Sequence, residues 1–168
     1  MNVICNTDKY AYGKGYIYLP IELTGLPKEF DLEGETLSLK SSFHVSLVCV
    51  KDLLAKYDKE NLEQMIFDQF CAFVAKNDIN FLKFTGEFHL AKHEERKSLV
   101  AICEVSNLDN FTSSLSQELG LEISLQPTHV TLYTLQPDMG IGLNNPTDLE
   151  NKSVIVDVPE AIKQSLIS

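Results

Sequence analysis

The sequence is poor in basic residues, and those it has are unevenly spread. It contains a single arginine, Arg96, and has neither lysine nor arginine from position 98 to position 151. Fourteen basic residues stand against 24 acidic ones, which gives a net charge of −10 at pH 7. Proteins that grip long nucleic acid use a basic stripe that neutralises several phosphates. We therefore expect no long nucleic acid as a partner, and a phosphate substrate should be a small nucleotide or an RNA bound only at its end.

Long apolar runs are absent too. No segment approaches the roughly 20 apolar residues that a membrane-spanning helix requires. The first residues, MNVICNTDKYAYGKGYIYLP, lack the basic start and the apolar run of a secretory signal peptide. We expect no membrane contact and predict a cytoplasmic location. Nothing in the sequence indicates an oligomeric state.

Metal-binding cysteine patterns are missing as well. The cysteines at positions 5, 49, 71 and 103 form no C-x-x-C pair and no cluster with histidine at the spacing of metal ligands. We predict free, mostly buried thiols, and we expect neither a metal nor another cofactor. His89 and His93 flank a charged segment and are expected to face solvent.

The composition that remains is that of an ordinary globular protein. Of the 168 residues, 44% are hydrophobic and 23% are charged. A chain of this length can bury a core large enough to fold without cross-links. We expect one domain spanning residues 1–168, built from two lobes.

Residue periodicity predicts the order of elements. Ile17, Leu19 and Ile21 alternate with Tyr16 and Tyr18, which is typical of a strand with one buried face. The segment 136–153 is rich in Gly, Asn, Pro and Asp, and we predict a long functional or mobile loop there. Further strands are predicted at 36–50, 79–90, 96–105, 121–135 and 154–158, and helices at 51–76 (with a second segment capped by Asp58), 108–119 and 159–167.

One short pattern occurs twice. LSLKSSFHVSL at 37–47 and ISLQPTHVTL at 123–132 share an aliphatic-Ser-Leu start and a His-Val-Ser/Thr-Leu end. Their histidines, His44 and His129, lie 85 residues apart, about half of the chain. We interpret the repeat as an internal duplication. It predicts an α+β fold in which two antiparallel β-sheets face a central cleft, with helices on the outside.

Each copy places an imidazole and a hydroxyl on the same side of a strand. Residues two apart in a strand point the same way, so His44 shares a face with Ser46, and His129 with Thr131 and Tyr133. An imidazole with a pKa of about 6.5 takes or gives a proton near neutral pH. Hydroxyl groups can donate to the non-bridging oxygens of a phosphate. Together these residues predict metal-free attack on a phosphodiester, with both polar faces lining the cleft.

The pair HVSL (44–47) and HVTL (129–132) resembles the motifs of the 2H phosphoesterase superfamily, which includes cyclic phosphodiesterases and RNA 2′-5′ ligases. Through motif spacing and element order, the resemblance covers nearly the whole chain. It implies metal-independent cleavage of 2′,3′-cyclic phosphates, ADP-ribose cyclic phosphates or 2′-5′ linkages, or reversible joining of RNA ends. It also implies that His44 and His129 are the catalytic acid–base pair and that Ser46 and Thr131 bind the phosphate. The sequence does not fix which histidine is the acid.

The chain departs from that family in its cations. Many members place Arg or Lys near a motif to hold a second phosphate or an RNA backbone. Here the second motif runs into YTLQPD, and only Lys40 and Lys51 lie close to the first in sequence. We therefore expect a small nucleotide or a short RNA end rather than RNA joining. Tyr133 and Tyr18 are candidates for substrate contact, and a nucleotide-binding or regulatory protein with little or no catalysis is the alternative function.

Overall fold

The computed structural model of the chain describes residues 2–167. None of the helices within this range combines the length and the apolar character needed to cross a membrane. The strands are β1 (Asn2–Ile4), β2 (Thr7–Gly13), β3 (Tyr16–Ile21), β4 (Glu29–Leu32), β5 (Glu35–Leu39), β6 (Phe43–Cys49), β7 (Phe81–His93), β8 (Arg96–Val105), β9 (His129–Thr134) and β10 (Ser153–Val156). The helices are α1 (Val50–Lys56), α2 (Leu62–Val74), α3 (Leu108–Leu119), α4 (Pro146–Lys152) and α5 (Glu160–Ile167).

The strands build one antiparallel sheet in the order β1-β2-β3-β6-β9-β8-β7-β10. The order divides in the middle, because β1, β2, β3 and β6 come from the first part of the chain and the other four from the second. β6 and β9 meet at the divide through the residue pair Val45 and Val130. The β4–β5 hairpin attaches to β9 through β5, at Ser38 and Leu39.

The main core lies on one face of this sheet, under α1, α2, α3 and α5. From the sheet, Leu47 and Leu132 point into it and are at most 1% exposed. The apolar residues of α3 recur at three-and-four spacing, as predicted, and all are buried. They are Leu108, Phe111, Leu115 and Leu119. Gly120 ends this helix at φ +65°, a conformation that costs glycine little.

Several predicted elements are confirmed. Ile17 and Leu19 are buried in β3, and the strands at 79–90 and 96–105 form the β7–β8 hairpin. The helix at 108–119 has the predicted bounds, and β10 and α5 lie where a last strand and a terminal helix are expected. Local periodicity was sufficient to predict these elements because each has one continuous buried face.

Four predictions about element bounds are wrong. The strand expected at 36–50 is two strands, because the chain turns between Leu39 and Phe43. The strand expected at 121–135 begins only at His129, since Pro127 lacks the N–H that a strand ladder needs. The helix expected at 51–76 is interrupted, and α2 begins after Asn61 rather than after a cap at position 58. The loop expected at 136–153 contains α4.

The prediction of free thiols is wrong for two of the four cysteines. Cys5 and Cys71 form a disulfide, with Cα atoms 5.2 Å apart. The β1–β2 hairpin packs on α2, for example through the edge-to-face rings of Tyr10 and Phe70, and this packing joins positions 66 residues apart. Disulfides are more usual in oxidising compartments than in the cytoplasm. The disulfide therefore does not support the predicted cytoplasmic location, which stays a prediction. The free cysteines, both buried, are Cys49 and Cys103.

Candidate active site

The structure brings the two repeated motifs side by side. Val45 of β6 lies opposite Val130 of β9 in an antiparallel pair, and both side chains are fully buried in the core. His44 and Ser46 flank Val45, and His129 and Thr131 flank Val130, so strand alternation turns these four side chains to the face away from the core. We call these four residues the histidine face.

The alternation of the two strands holds this face in place. The aliphatic residues at positions 45, 47, 130 and 132 are at most 1% exposed. A shift of either strand by one residue would exchange these with the polar side chains, so the core fixes the register. His44, Ser46 and Thr131 are half-buried, while His129 is 8% exposed. The face is therefore accessible to a ligand through three of its four residues.

His129 is held in one tautomer. Its Nδ1 lies 2.7 Å from the backbone oxygen of Pro127. Because a carbonyl oxygen only accepts, Nδ1 carries the hydrogen and donates it, which leaves the lone pair of Nε2 free. Burial lowers the pKa of His129, and so does the charge of His89, while the bond to Pro127 acts in the opposite direction. A neutral ring with a free Nε2 is the state that a general base requires.

His44 is also neutral at pH 7. Burial is the main cause that lowers its pKa, to about 4, and the charges of Lys40, His129 and Lys14 lower it further. The His44 ring contacts Tyr18, with ring centroids 4.7 Å apart. Before it can act as an acid, this ring needs an anion nearby that favours its protonated form.

Two lysines stand beside His44. Lys40 precedes β6 and is half-buried, and burial lowers its pKa. Lys14, in the turn between β2 and β3, is exposed and acts through its charge on both Lys40 and His44. Asp138 opposes these cations, since its charge raises the pKa of Lys40. Lys14 could not be predicted from the sequence, because the flanking glycines of GKG indicate a turn but not which part of the fold the turn lies beside.

The segment 136–145 borders the histidine face. Ile141 and Leu143 are buried against Val100 of β8, on the side of the sheet away from the main core. A Cβ atom at Gly140 would lie 3.9 Å from the methyl group of Thr131. The segment therefore packs directly beside the site and forms one of its walls.

Hydrogen bonds fix the far end of this segment to the first half of the chain. Asn144 accepts a hydrogen bond from the hydroxyl of Tyr16, 2.8 Å away, and donates one to Asp52, 3.0 Å away. The ammonium group of Lys51 lies over the ring of Tyr16, 4.9 Å from its centroid. Tyr16 and Asp52 thus anchor the wall and Lys51 packs on Tyr16, whereas Lys40 and Lys14 act on His44.

The two tyrosines predicted to contact substrate are separated by the fold. Tyr18 lies at the site, where it pairs with Ser46 across β3 and β6. The prediction that Tyr133 contacts substrate is wrong. Tyr133 is 0% exposed, and its hydroxyl donates to the backbone oxygen of Pro27, 2.6 Å away. A register shift between β8 and β9 separates Tyr133 from Thr131 and turns its ring into the main core.

The prediction that His89 faces solvent is wrong. His89 is 7% exposed and lies on the side of β7 opposite Phe88 and Leu90, which are in the main core. Its ring nitrogens lie within hydrogen-bond distance of Ser153 and Glu87. The same prediction holds for His93, of which 52% of the side chain is exposed.

Within residues 2–167, no three side chains of His, Cys, Asp or Glu are grouped as they would be around a metal ion. No family model matches the chain, and neither a curated protein nor a solved structure matches it. The histidine face and the residues that surround it are therefore the basis for a functional proposal.

Proposed function

We propose that the chain is a metal-independent phosphodiesterase of the 2H type. Its substrate is a 2′,3′-cyclic phosphate or a 2′-5′ phosphodiester bond in a nucleotide or a short RNA end. The observation that carries this proposal is the pairing of Val45 with Val130, which sets two imidazoles and two hydroxyls on one face. A purely structural role does not account for four such polar side chains at the junction of two half-sheets.

In this proposal the halves of the sheet are the two lobes of a duplicated fold. The strand order supports it, since four strands stand on each side of the junction between β6 and β9. The contact at Val45 and Val130 joins the lobes, and within residues 2–167 it is the one residue pair between β6 and β9. A cleft above the histidine face then lies between the lobes, and the segment 136–145 forms part of its wall.

The reaction needs an acid, a base and groups that stabilise negative charge. One histidine takes a proton from water while the water oxygen forms a bond to phosphorus. The bond from phosphorus to the leaving oxygen breaks, and the other histidine gives its proton to that oxygen. Ser46 and Thr131 donate hydrogen bonds to the non-bridging oxygens, where charge builds up in the transition state. The products are a phosphomonoester and a free hydroxyl.

The unliganded site lacks a protonated histidine that can act as the acid, and the negative charge of the substrate favours its formation. With a pKa of about 4, His44 does not hold a proton at pH 7. A phosphate bound beside it offsets the charges of Lys40 and Lys14 and stabilises the protonated imidazole. The same two lysines attract an anion to this position. Substrate binding therefore prepares the acid that the reaction needs.

A substrate panel with histidine variants tests the proposal. The chain is incubated in EDTA with 2′,3′-cyclic mononucleotides, ADP-ribose 1″,2″-cyclic phosphate and short 2′-5′ oligoadenylates, and the products are separated by chromatography. We expect cleavage of at least one class, and a rate lowered on the order of 10²-fold or more in His44→Ala and in His129→Ala. His93→Ala, which removes an exposed histidine from the β7–β8 hairpin, is the matched control and should keep the wild-type rate. Wild-type activity in either of the first two variants contradicts the mechanism.

A nucleotide-binding or regulatory protein with little or no catalysis is a second candidate. One observation favours it: burial lowers the pKa of both histidines, so neither is charged at pH 7 without a ligand. Calorimetry with 2′- and 3′-mononucleotides, run beside the turnover assay, separates the two functions. Binding of a mononucleotide without cleavage of the corresponding cyclic nucleotide would select the binding protein.

A further inference from the structure

A third histidine lies near the histidine face and has no part in the proposed reaction. His89 sits in the middle of β7 and is 7% exposed. Its Nδ1 is 2.9 Å from the hydroxyl oxygen of Ser153, and its Nε2 is 2.8 Å from a carboxylate oxygen of Glu87. Both ring nitrogens therefore have a close polar partner.

The directions of these hydrogen bonds determine the charge of His89. The hydroxyl of Ser153 donates its single hydrogen to the backbone oxygen of Leu149, so toward His89 it can only accept. The carboxylate of Glu87 also accepts only. Each partner then requires a hydrogen on the ring nitrogen that it faces. An imidazole with hydrogens on both nitrogens is the positively charged imidazolium.

The sheet places this charge in line with the catalytic groups. His89 lies opposite Val100 of β8, and Val100 lies opposite Thr131 of β9. Directly opposed residues point to the same side of a sheet, so His89 faces the same way as His129. Two strand spacings across the sheet and two residues along β9 separate His89 from His129, roughly 12 Å between their backbone positions. Val100 of the intervening strand β8 is 0% exposed.

We propose that His89 is a positioning residue whose positive charge acts together with burial to keep His129 neutral, so that His129 is the general base and His44 the general acid. The assignment of base and acid rests on the proposed function, whereas the charge of His89 does not. The free Nε2 of His129 agrees with this assignment. So does the direction in which the charge of His89 moves the pKa of His129, in addition to burial.

The other charged groups around His89 are few. On its own strand the facing group is Glu87, and β8 presents the apolar Val100. From α4, which packs on β7, Asp148 is paired with Lys152 at 3.6 Å. Glu150 of the same helix is exposed to solvent. On β10 the residue opposite His89 is Ile155. Glu87 is therefore the anion that holds the imidazolium in place.

Nuclear magnetic resonance tests the charge directly and needs no substrate. The nitrogen chemical shifts of the His89 ring at pH 7 should show both nitrogens protonated. A neutral His89 at that pH would overturn the proposal.

The effect on His129 is measured by following its ring signals during a pH titration. In His89→Gln, which removes the charge, the midpoint of His129 should rise by about 0.3 to 1 pH unit, the interaction of two charges at this distance. In the control His93→Gln it should stay where it is in the wild type. Ser153→Thr keeps the hydroxyl that accepts from His89 and changes only the packing beside the ring, so it should also leave the midpoint unchanged. A shift in Ser153→Thr as large as that in His89→Gln would mean that altered packing is the cause, and it would refute the proposal.

Kinetics then tests the assignment of roles. In the pH profile of kcat, which reports the enzyme–substrate complex in which bound phosphate favours protonated His44, His89→Gln should move the ascending limb, which reports the base, to higher pH and leave the descending limb in place. Movement of the descending limb instead would make His129 the acid and contradict the assignment. If no substrate is cleaved at all, the proposed function fails, while the two resonance experiments still decide the charge of His89 and its effect.

Discussion

Acid should destabilise the fold through His44, and the structure gives the direction of the effect. In the folded chain burial is the main cause that lowers the pKa of His44 to about 4, whereas an imidazole in an unfolded chain has a pKa of about 6.5. Between these values the unfolded chain binds a proton that the folded chain does not. The free energy of unfolding therefore falls as the pH drops from about 6.5 to about 4, and above that window the contribution is constant.

The size of the effect follows from the same two values. One pKa unit corresponds to about 1.4 kcal/mol, so the full difference amounts to about 3 kcal/mol. Between pH 7 and pH 5 the unfolded chain becomes almost fully protonated at this position and the folded chain stays mostly neutral. Over that interval His44 should account for a loss of about 2 kcal/mol.

Urea unfolding followed by circular dichroism at pH 7 and pH 5 measures this loss. The wild type should lose about 2 kcal/mol more than His44→Gln over the interval, because glutamine does not titrate. Comparing the two proteins cancels the titration of the carboxylates that they share. His93→Gln, which removes an exposed histidine, should behave like the wild type. Equal losses in the wild type and His44→Gln would show that His44 is not held neutral by burial.

Two further predictions concern residues around the site. Lys40→Met should raise the titration midpoint of His44 and weaken the binding of a mononucleotide, as measured by resonance titration and calorimetry, while Lys51→Met, whose lysine lies over Tyr16, should leave that midpoint unchanged. Reduction of the Cys5–Cys71 disulfide should lower the free energy of unfolding by about 2 to 4 kcal/mol, as measured in urea. Turnover in native conditions should stay within about twofold, because the disulfide joins the β1–β2 turn to α2 and not to the histidine face; a large loss of turnover on reduction would contradict this separation.

The four residues of the histidine face could be predicted from the sequence because strand alternation is local. His44 and Ser46 are separated by one valine, and a strand turns them to the same side whatever the rest of the chain does. The repeated sequence pattern predicted a second strand with the same arrangement, which carries His129 and Thr131. The direct pairing of Val45 with Val130 was not predicted, since sequence alone does not say which strands become neighbours.

The remaining features depend on contacts between distant parts of the chain. Lys14 reaches His44 only because the β2–β3 hairpin packs beside β6, and His89 is buried only because α4 and β10 cover β7. Tyr133 illustrates a different limit. The alternation that correctly oriented Thr131 fails two residues later, because a register shift between β8 and β9 turns the side chain to the core. No periodicity in the sequence indicates such a shift.

The two histidines differ in how far a ligand can change their neutrality, and this difference suggests an order of events. His129 is neutral because its ring is almost fully buried. A ligand does not change that burial. His44 is half-buried, and part of its low pKa comes from Lys40 and Lys14, whose charges a bound anion offsets. In the proposed reaction, binding of the phosphate therefore precedes protonation of His44, and a substrate must carry negative charge in order to be cleaved. Selectivity for an anionic diester then follows from the electrostatics of the site as much as from its shape.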